Sequence, residues 1–224
     1  MEISIFDVIG NGISNKDIIE NIKKKLQKKY KIEFNVKKIG NRYGIFTNDT
    51  VTTYCCPKYN ENIIFIAKLN KEQTVLEDDY LLKCISYEIE ESIKKEFQEN
   101  NIEIIAKNKI IGKSNLSEQI SVQEFINKYK VANFLTYIIS SQKISAEVLK
   151  EIYEKLEQKY KGIYLKTLIY IIDENGFENC KEIANQSPTI MQTMLEEQTI
   201  KEEIIIKIKE GKIYRIGEEN WLKK

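Results

Sequence analysis

Histidine is absent from this chain of 224 residues, and with it the side chain that proteins use most often for proton transfer near neutral pH and for binding transition metals. A histidine-assisted serine or cysteine nucleophile therefore cannot form within the chain. Any catalytic centre would have to use carboxylates, cysteine, lysine or tyrosine. Arginine and proline are also scarce, with two of each, against 40 isoleucines and 33 lysines. That bias is typical of an AT-rich genome.

Cysteine is too scarce for a disulfide framework, because the four cysteines are few and scattered: Cys55, Cys56, Cys84 and Cys180. We expect reduced thiols, mostly buried. A reactive pair at Cys55 and Cys56 would need a lowered thiol pKa, and Lys58 is the only cation near them in the sequence. No spacing of acidic or thiol ligands indicates a metal site, so we expect neither a metal nor a cofactor.

Long hydrophobic runs are missing as well. The densest, residues 168–172, has five residues, whereas a membrane-spanning helix needs roughly 18. We expect no transmembrane segment. The start of the chain carries Glu2 and Asp7 without a basic region, and no cysteine precedes Cys55 for lipid attachment. As the sequence stands, these features predict a cytoplasmic protein.

The net charge of +1 conceals a local separation of charge. Residues 16–38 hold nine basic and three acidic side chains, a net +6, and residues 72–99 hold nine acidic and three basic ones, a net −6. The basic stretch uses lysine without forked arginine contacts or interleaved aromatics, so we expect no nucleic-acid binding. Complementary charged patches steer protein association, and we expect a protein partner.

The first hundred residues have the pattern of an α+β module. Ser14 and Asp17 form a capping box at the start of a helix over residues 14–30. Its apolar residues recur every four positions. Four strand-like segments with short connections favour an antiparallel meander, and a second helix follows over residues 79–99. The strand segments are residues 33–38, 43–47, 51–56 and 63–69.

The second half reads as a further, smaller α+β module. A strand is predicted at residues 102–106, a short helix capped by Ser121 with Glu124 follows, and an apolar strand covers residues 131–140. The next helix and the strand at residues 164–172 complete a compact βαβ unit. Helices near residues 177–184 and 189–197 precede a hairpin turned by Glu210 and Gly211. We therefore predict two modules, residues 1–100 and 101–224.

Residues 40–58, GNRYGIFTNDTVTTYCCPK, are more specific than their surroundings, since they hold the only arginine of the first 214 residues. With the preceding helix and the later Asp78-Asp79-Tyr80, this run resembles a poorly characterised family of small lipoproteins and cell-envelope proteins from Gram-positive bacteria. The resemblance covers residues 14–99. It implies an α+β protein without a known reaction, tethered outside the membrane, and it carries no catalytic residues over to this chain. Lipid anchoring would require a signal that these residues lack.

Our leading hypothesis is a non-catalytic binding or protein-interaction protein. Its contact surface would be the exposed face of the first sheet, with Arg42, Tyr43, Tyr54 and Tyr59, because arginine and tyrosine are enriched at binding hot spots. One alternative is a hydrolase that uses a pair of carboxylates instead of histidine. Another is an immunity or antitoxin-like protein whose acidic helix, residues 79–99, covers a basic toxin. Residues 40–58 could also form a simple hairpin whose side chains lie on the sheet without a binding role.

Overall fold

A computed structural model describes residues 14–40, 49–112, 116–130, 133–185, 194–195 and 198–215 of the chain. The described elements form an antiparallel sheet and a mixed sheet with helices before, between and after their strands, which confirms the α+β prediction. In chain order they are α1 (Asn15–Tyr30), β1 (Phe34–Ile39), β2 (Thr50–Pro57), β3 (Phe65–Asn70), β4 (Leu76–Asp78), α2 (Tyr80–Glu99), β5 (Ile105–Ile111), α3 (Val122–Lys128), β6 (Asn133–Ser140), α4 (Ala146–Lys159), β7 (Leu165–Ile171), α5 (Glu174–Ala184), β8 (Glu202–Lys209) and β9 (Lys212–Arg215).

Helix α1 begins at the predicted capping box. The Ser14 hydroxyl accepts from the Asp17 backbone N–H at 3.2 Å, and the Asp17 carboxylate accepts from the Ser14 N–H at 3.3 Å. This exchange satisfies two backbone donors that a helix start leaves without intrahelical partners. The helix ends at Lys31, which adopts a left-handed φ of 61°. Its apolar stripe is buried: Ile18, Ile22 and Leu26.

The first sheet is an antiparallel meander with the strand order β1-β2-β3-β4. Along β2, Val51, Thr53 and Cys55 are buried on one face, while the intervening Thr52 and Tyr54 are half-buried on the other. This alternation is the period of two that a strand imposes. The fourth strand is the short segment Leu76–Asp78, which pairs with β3. The strand predicted at residues 43–47 lies outside the described residues.

The second sheet has five strands in the order β5-β6-β7-β8-β9. Strands β6 and β7 are parallel, with Phe134 opposite Leu165 and Ser140 opposite Ile171, whereas the other pairs are antiparallel. Helix α4 connects the parallel pair, which confirms the predicted βαβ unit. Phe125 of α3 packs against Phe134 of β6 with ring centroids 5.8 Å apart. Helix α3 therefore covers the face of β6 that carries Phe134.

The last two strands form the predicted hairpin. Glu210 and Gly211 have φ values of 54° and 70°. A two-residue turn with positive φ at both positions matches the right-handed twist of the paired strands. The structure therefore confirms this turn. The helix predicted near residues 189–197 lies largely outside the described residues.

The chain divides into two compact units, Met1–Tyr80 and Leu81–Lys224. Helix α2, which the sequence analysis assigned to the first module, lies almost entirely in the second unit. The second unit is the larger of the two. The predicted division into modules at residues 1–100 and 101–224 stays a prediction. Among the described helices, none combines the length and the apolar character needed to cross a membrane.

The cysteines are not in disulfides, and three of them are buried. Burial raises the pKa of Cys55 to about 12, and it also raises the pKa of Cys56 and Cys180. Lys37 partly opposes this effect at Cys56. Thiols react as thiolates, so these three groups are poor nucleophiles in the folded chain.

We therefore expect Cys84, the half-buried thiol, to react with iodoacetamide before the other three. The physical reason is that the reagent must reach a thiolate, and burial opposes both access and ionisation at the other positions. Mass spectrometry of the native protein over time gives the order of labelling. Labelling in guanidinium is the control, and Cys84→Ser should remove the early product. Labelling of Cys55 or Cys56 as fast as Cys84 would contradict the expectation.

Candidate functional site

Two of the four predicted surface residues, Arg42 and Tyr43, lie outside the described residues. Of the other two, Tyr54 lies on β2 and Tyr59 lies in the connection between β2 and β3. Tyr54 is half-buried, whereas Tyr59 is 65% exposed. The structure thus gives positions for half of the predicted set.

Tyr54 occupies the middle of the outer face of the first sheet. It lies opposite Lys38 of β1 and Ile66 of β3, so its ring is flanked by one cation and one aliphatic side chain. One pair further along, Thr52 lies opposite the exposed Lys68. We call this set, Tyr54, Lys38, Ile66, Thr52 and Lys68, the Tyr54 surface. It combines an aromatic ring with cations and hydrogen-bonding groups.

Tyr59 lies elsewhere. Its hydroxyl is 3.0 Å from the hydroxyl of Tyr80. The Tyr80 ring packs at right angles to Phe34, with centroids 5.1 Å apart, and also contacts Phe65. Phe34 and Phe65 are buried on the core face of the sheet, opposite to Tyr54. The structure therefore places Tyr54 and Tyr59 on different sides of the first sheet.

A carboxylate completes the cluster around Tyr80. The Tyr30 hydroxyl donates to Asp78 Oδ1 at 2.5 Å, and Lys29 Nζ lies 2.8 Å from Asp78 Oδ2. The Asp78 side chain is fully buried. A buried carboxylate needs such donors and a counter-charge, because water no longer solvates it. These contacts join the end of α1 to the residues that precede α2, which is a structural role.

The second unit contains a buried charged cluster that sequence analysis missed. Glu90 is fully buried on α2, and Lys83, about two helical turns earlier on the same face, forms an ion pair with it. The same Glu90 oxygen, Oε1, accepts from the backbone N–H of Asn108 at 2.8 Å. Because β5 is the edge of the second sheet, this bond satisfies a backbone donor that no neighbouring strand could reach. The other Glu90 oxygen has no hydrogen-bond partner among the described residues.

A row of polar side chains continues from this cluster across the sheet. Asn108 lies opposite Thr136, and Thr136 lies opposite Thr167. All three are buried, and Asn108 Nδ2 donates to the Thr136 hydroxyl oxygen at 2.6 Å. Tyr153 of α4 is also fully buried, and burial raises the pKa of its hydroxyl while Thr167 opposes that shift. These groups form a polar layer inside the second unit.

Lys107, next to Asn108, projects from the opposite face of β5 and is 9% exposed. Burial lowers the pKa of Lys107 to about 8, while Glu90 raises it and Lys83 lowers it further. A lysine with a pKa near neutrality is often found at functional sites, although buried structural clusters produce the same shift.

The carboxylate-pair hydrolase requires two carboxyl groups that face each other across a cleft. Asp78 and Glu90 both have fully buried carboxylates, but they belong to different units. Each is bound by a lysine and by other donors of its own unit. Neither is arranged as a free acid or base. The hydrolase stays a prediction without support from these residues.

The acidic helix is largely neutralised by its own unit. Glu91 lies 2.8 Å from Lys94, Glu96 lies 3.4 Å from Lys155, and Glu90 is paired as described. Glu99 is within 4 Å of both Lys95 and Lys155. These pairs use most of the charge that a basic toxin would need to contact. The immunity or antitoxin-like function also stays a prediction.

A second candidate surface lies on the face of the second sheet that carries Lys107. One cross-strand row runs through all five strands, and it contains Lys109, Leu135, Lys166, Lys207 and Tyr214. The next row contains Lys107, Tyr137, Leu168 and Ile205. We call these nine side chains the lysine face.

Helix α5 packs at one end of the lysine face. Phe177 and Cys180 of that helix join Ile105 and Ile139 in one buried cluster, against which Tyr137 is partly buried. Beyond this end, Leu135, Leu168 and Ile205 are half-buried and Lys109 is exposed. Sequence analysis missed this surface because its lysines come from strands separated by up to 100 residues. The available signal was lysine at alternate positions, as in Lys107 and Lys109 or Lys207 and Lys209.

A DUF5037 family protein from Ruminococcus gnavus has a solved structure that is similar to this one. The two chains share 17% of their residues and superpose with a TM-score of 0.63, over 88% of this chain and 94% of that chain. They have the same fold. At this identity the likeness shows the fold alone. Searches with family models and against curated proteins gave no match.

The similar solved structure belongs to a poorly characterised family. The sequence resemblance was also to a poorly characterised family. The lipoprotein and envelope part of that resemblance stays a prediction. A functional assignment must therefore come from the surfaces and clusters of the chain itself.

The Glu90 cluster gives a stability prediction with a matched control. We expect Glu90→Gln to lower the free energy of unfolding by about 3 kcal/mol, because Lys83 loses its counter-charge in a buried place. Glu91→Gln, on the same helix, removes only the exposed pair with Lys94 and should cost less than about 0.5 kcal/mol. Urea unfolding of both variants measures the two changes. Equal effects would show that the buried pair does not stabilise α2.

Lys107 gives a pH-dependent prediction. Its pKa in the folded chain, about 8, lies below the ordinary 10.5, so the unfolded chain binds the proton more tightly between these values. Burying the charged Lys107 side chain therefore lowers the free energy of unfolding by its full amount below about pH 8. This destabilisation disappears above about pH 10.5. We expect Lys107→Met to raise the free energy of unfolding at neutral pH. The gain should shrink as the pH rises from about 8 to about 10.

Lys109→Met is the matched control, since Lys109 is exposed two positions along the same strand. Lys109→Met should change the free energy of unfolding only slightly, and this change should not shrink between pH 8 and pH 10. Denaturant unfolding at several pH values measures both variants. A Lys107→Met gain that stays constant across this range would mean that burial does not hold the lysine pKa down.

Proposed function

We propose that this chain is a non-catalytic binding protein that holds a protein partner on the Tyr54 surface. The observation that carries the proposal is the position of Tyr54, half-buried at the middle of a sheet face between Lys38 and Ile66. A tyrosine in that position offers a large ring that loses little conformational entropy on binding.

The neighbours of Tyr54 support a protein partner. Ile66 provides an apolar contact beside the ring, and Thr52 provides a hydroxyl for hydrogen bonding. Lys38 and Lys68 are exposed on either side. An apolar centre with a polar and charged margin is the usual composition of a protein interface.

The core residues of the same strands lie on the opposite face, away from Tyr54. Thr53 uses its hydroxyl within the sheet, where it donates to the Ala67 carbonyl at 3.0 Å, and Val51 and Cys55 are buried beside it. The core of the first unit is therefore built on one face. Arg42 and Tyr43, close in sequence to β2, belong to the proposed surface on their residue types alone. The sequence resemblance to envelope lipoproteins favours a partner at the cell envelope.

The first experiment places a photo-crosslinking phenylalanine derivative at position 54 in cells of the native host. We expect a discrete cross-linked product from position 54 and none from position 24, where Lys24 is exposed on α1. The cross-linked protein is then identified and purified. Crosslinking from both positions alike, or from neither, would count against the Tyr54 surface.

The purified partner allows a quantitative test. We expect Tyr54→Ala to weaken its binding at least tenfold in Kd, since buried aromatic anchors contribute about 2 kcal/mol or more at hot spots. Arg42→Ala should also weaken binding, and Lys24→Ala should leave it unchanged. Calorimetric titration measures the constants, and circular dichroism verifies that each variant is folded. Equal binding by the folded Tyr54→Ala variant and the parent protein would reject the proposal.

A further inference from the structure

The lysine face concentrates positive charge that has no ion-pair partner among the described residues. Lys107, Lys109, Lys166 and Lys207 come from three strands, β5, β7 and β8, but lie on the same side of the second sheet. None of the four forms an ion pair with any described residue. By contrast, the charged residues of α2 on this unit are mostly paired. The positive charge of this face is therefore not balanced by ion pairs with described residues.

The register makes this arrangement costly for the isolated chain. Lys166 of β7 lies directly opposite Lys207 of β8, and like charges directly opposite each other on a sheet are destabilising. Glu203 lies on the same face but is opposite Tyr170, one row beyond Leu168 and Ile205. No carboxylate thus stands between the two lysines in the paired rows. An anionic group from another molecule would relieve this repulsion.

The centre of the face is apolar. Leu135 lies between Lys109 and Lys166, and Leu168 lies between Tyr137 and Ile205. These aliphatic side chains are half-buried, so they remain partly accessible. Nucleic-acid platforms place aromatic rings where bases stack, whereas here the central positions are aliphatic. The tyrosines of this face lie around the aliphatic positions: Tyr137 has Lys109 Nζ 5.5 Å from its centroid, Tyr170 lies opposite Glu203, and Tyr214 lies opposite Lys207 on the last strand.

We propose that the lysine face binds an acidic segment of a partner protein, with carboxylates between Lys166 and Lys207 and apolar side chains against Leu135 and Leu168. Charge complementarity selects the acidic segment, and the aliphatic centre selects a protein over a nucleic acid. This surface is distinct from the Tyr54 surface and lies in the other unit. The inference therefore does not depend on the proposed function.

The test uses the full chain and three fluorescent probes: a short peptide of alternating glutamate and leucine, polyglutamate, and single-stranded oligothymidine. Fluorescence anisotropy at low and at physiological salt measures the affinities. We expect the alternating peptide to bind most tightly, polyglutamate to bind more weakly because it lacks apolar side chains, and oligothymidine to bind most weakly. Added salt should weaken the binding of all three.

Charge reversal locates the site. The double variant Lys166→Glu and Lys207→Glu should raise the Kd for the alternating peptide at least tenfold. The control double variant, Lys24→Glu and Lys28→Glu, changes the net charge equally at exposed positions of α1 and should alter the Kd less than twofold. If the first double variant unfolds, Lys166→Gln with Lys207→Gln replaces it, and thermal unfolding verifies its fold. Tyr54→Ala should have no effect on peptide binding.

Three results would overturn the inference. One is the absence of peptide binding at low salt, and another is an equal loss of binding in the lysine-face and α1 variants. The third is tighter binding of oligothymidine than of the peptide, lost in the lysine-face variant, which would assign the surface to nucleic acid. Each of these results is independent of the outcome of the Tyr54 experiments.

Discussion

The contact of Glu90 with the edge of the second sheet is the interaction on which the arrangement of the second unit depends. One carboxylate oxygen accepts both from Lys83 of its own helix and from the backbone N–H of Asn108 in β5. Helix α2 is thereby fixed along an edge strand whose outward backbone groups would otherwise lack partners. A fully buried charge tolerates such a position only when a counter-charge and hydrogen bonds accompany it.

Helix α2 lies along one edge of the second sheet, and the two faces of that sheet differ in their side chains and in their burial. One face carries the polar row of Asn108, Thr136 and Thr167 and is buried. The other is covered by α5 at one end and carries the lysine face beyond it. The first sheet divides similarly, with a buried face beneath α1 and the Tyr54 surface on the other side. Each unit therefore combines a core built on one sheet face with side chains suited to contact on the other.

The chemistry of the chain is consistent with this division. Without histidine, a hydrolytic centre would depend on carboxylates or on a lysine of low pKa. The buried carboxylates are engaged in structural bonds, and the buried thiols have raised pKa values. Binding requires no such group, and the two proposed surfaces offer half-buried tyrosines and exposed lysines for it.

Local signals in the sequence were accurate where neighbouring residues decide the structure. The capping boxes at Ser14 and Ser121 both formed, and the positive φ values at Glu210 and Gly211 produced the expected turn. Strand β5 was predicted too early, at residues 102–106, because buried Lys107 and Asn108 interrupt its apolar pattern. Strand β4 has only three residues, too few for any periodicity to show.

The sequence by itself determined the α+β class, the antiparallel meander, the βαβ unit and the exclusion of histidine chemistry. These follow from capping, periodicity and composition, which act over a few residues at a time. Only the tertiary structure decided that Tyr54 and Tyr59 lie on different sides, and that lysines from β5, β7 and β8 share one face. The physical reason is that strand pairing and register set which distant side chains become neighbours, and a shift of one residue moves a side chain to the opposite face.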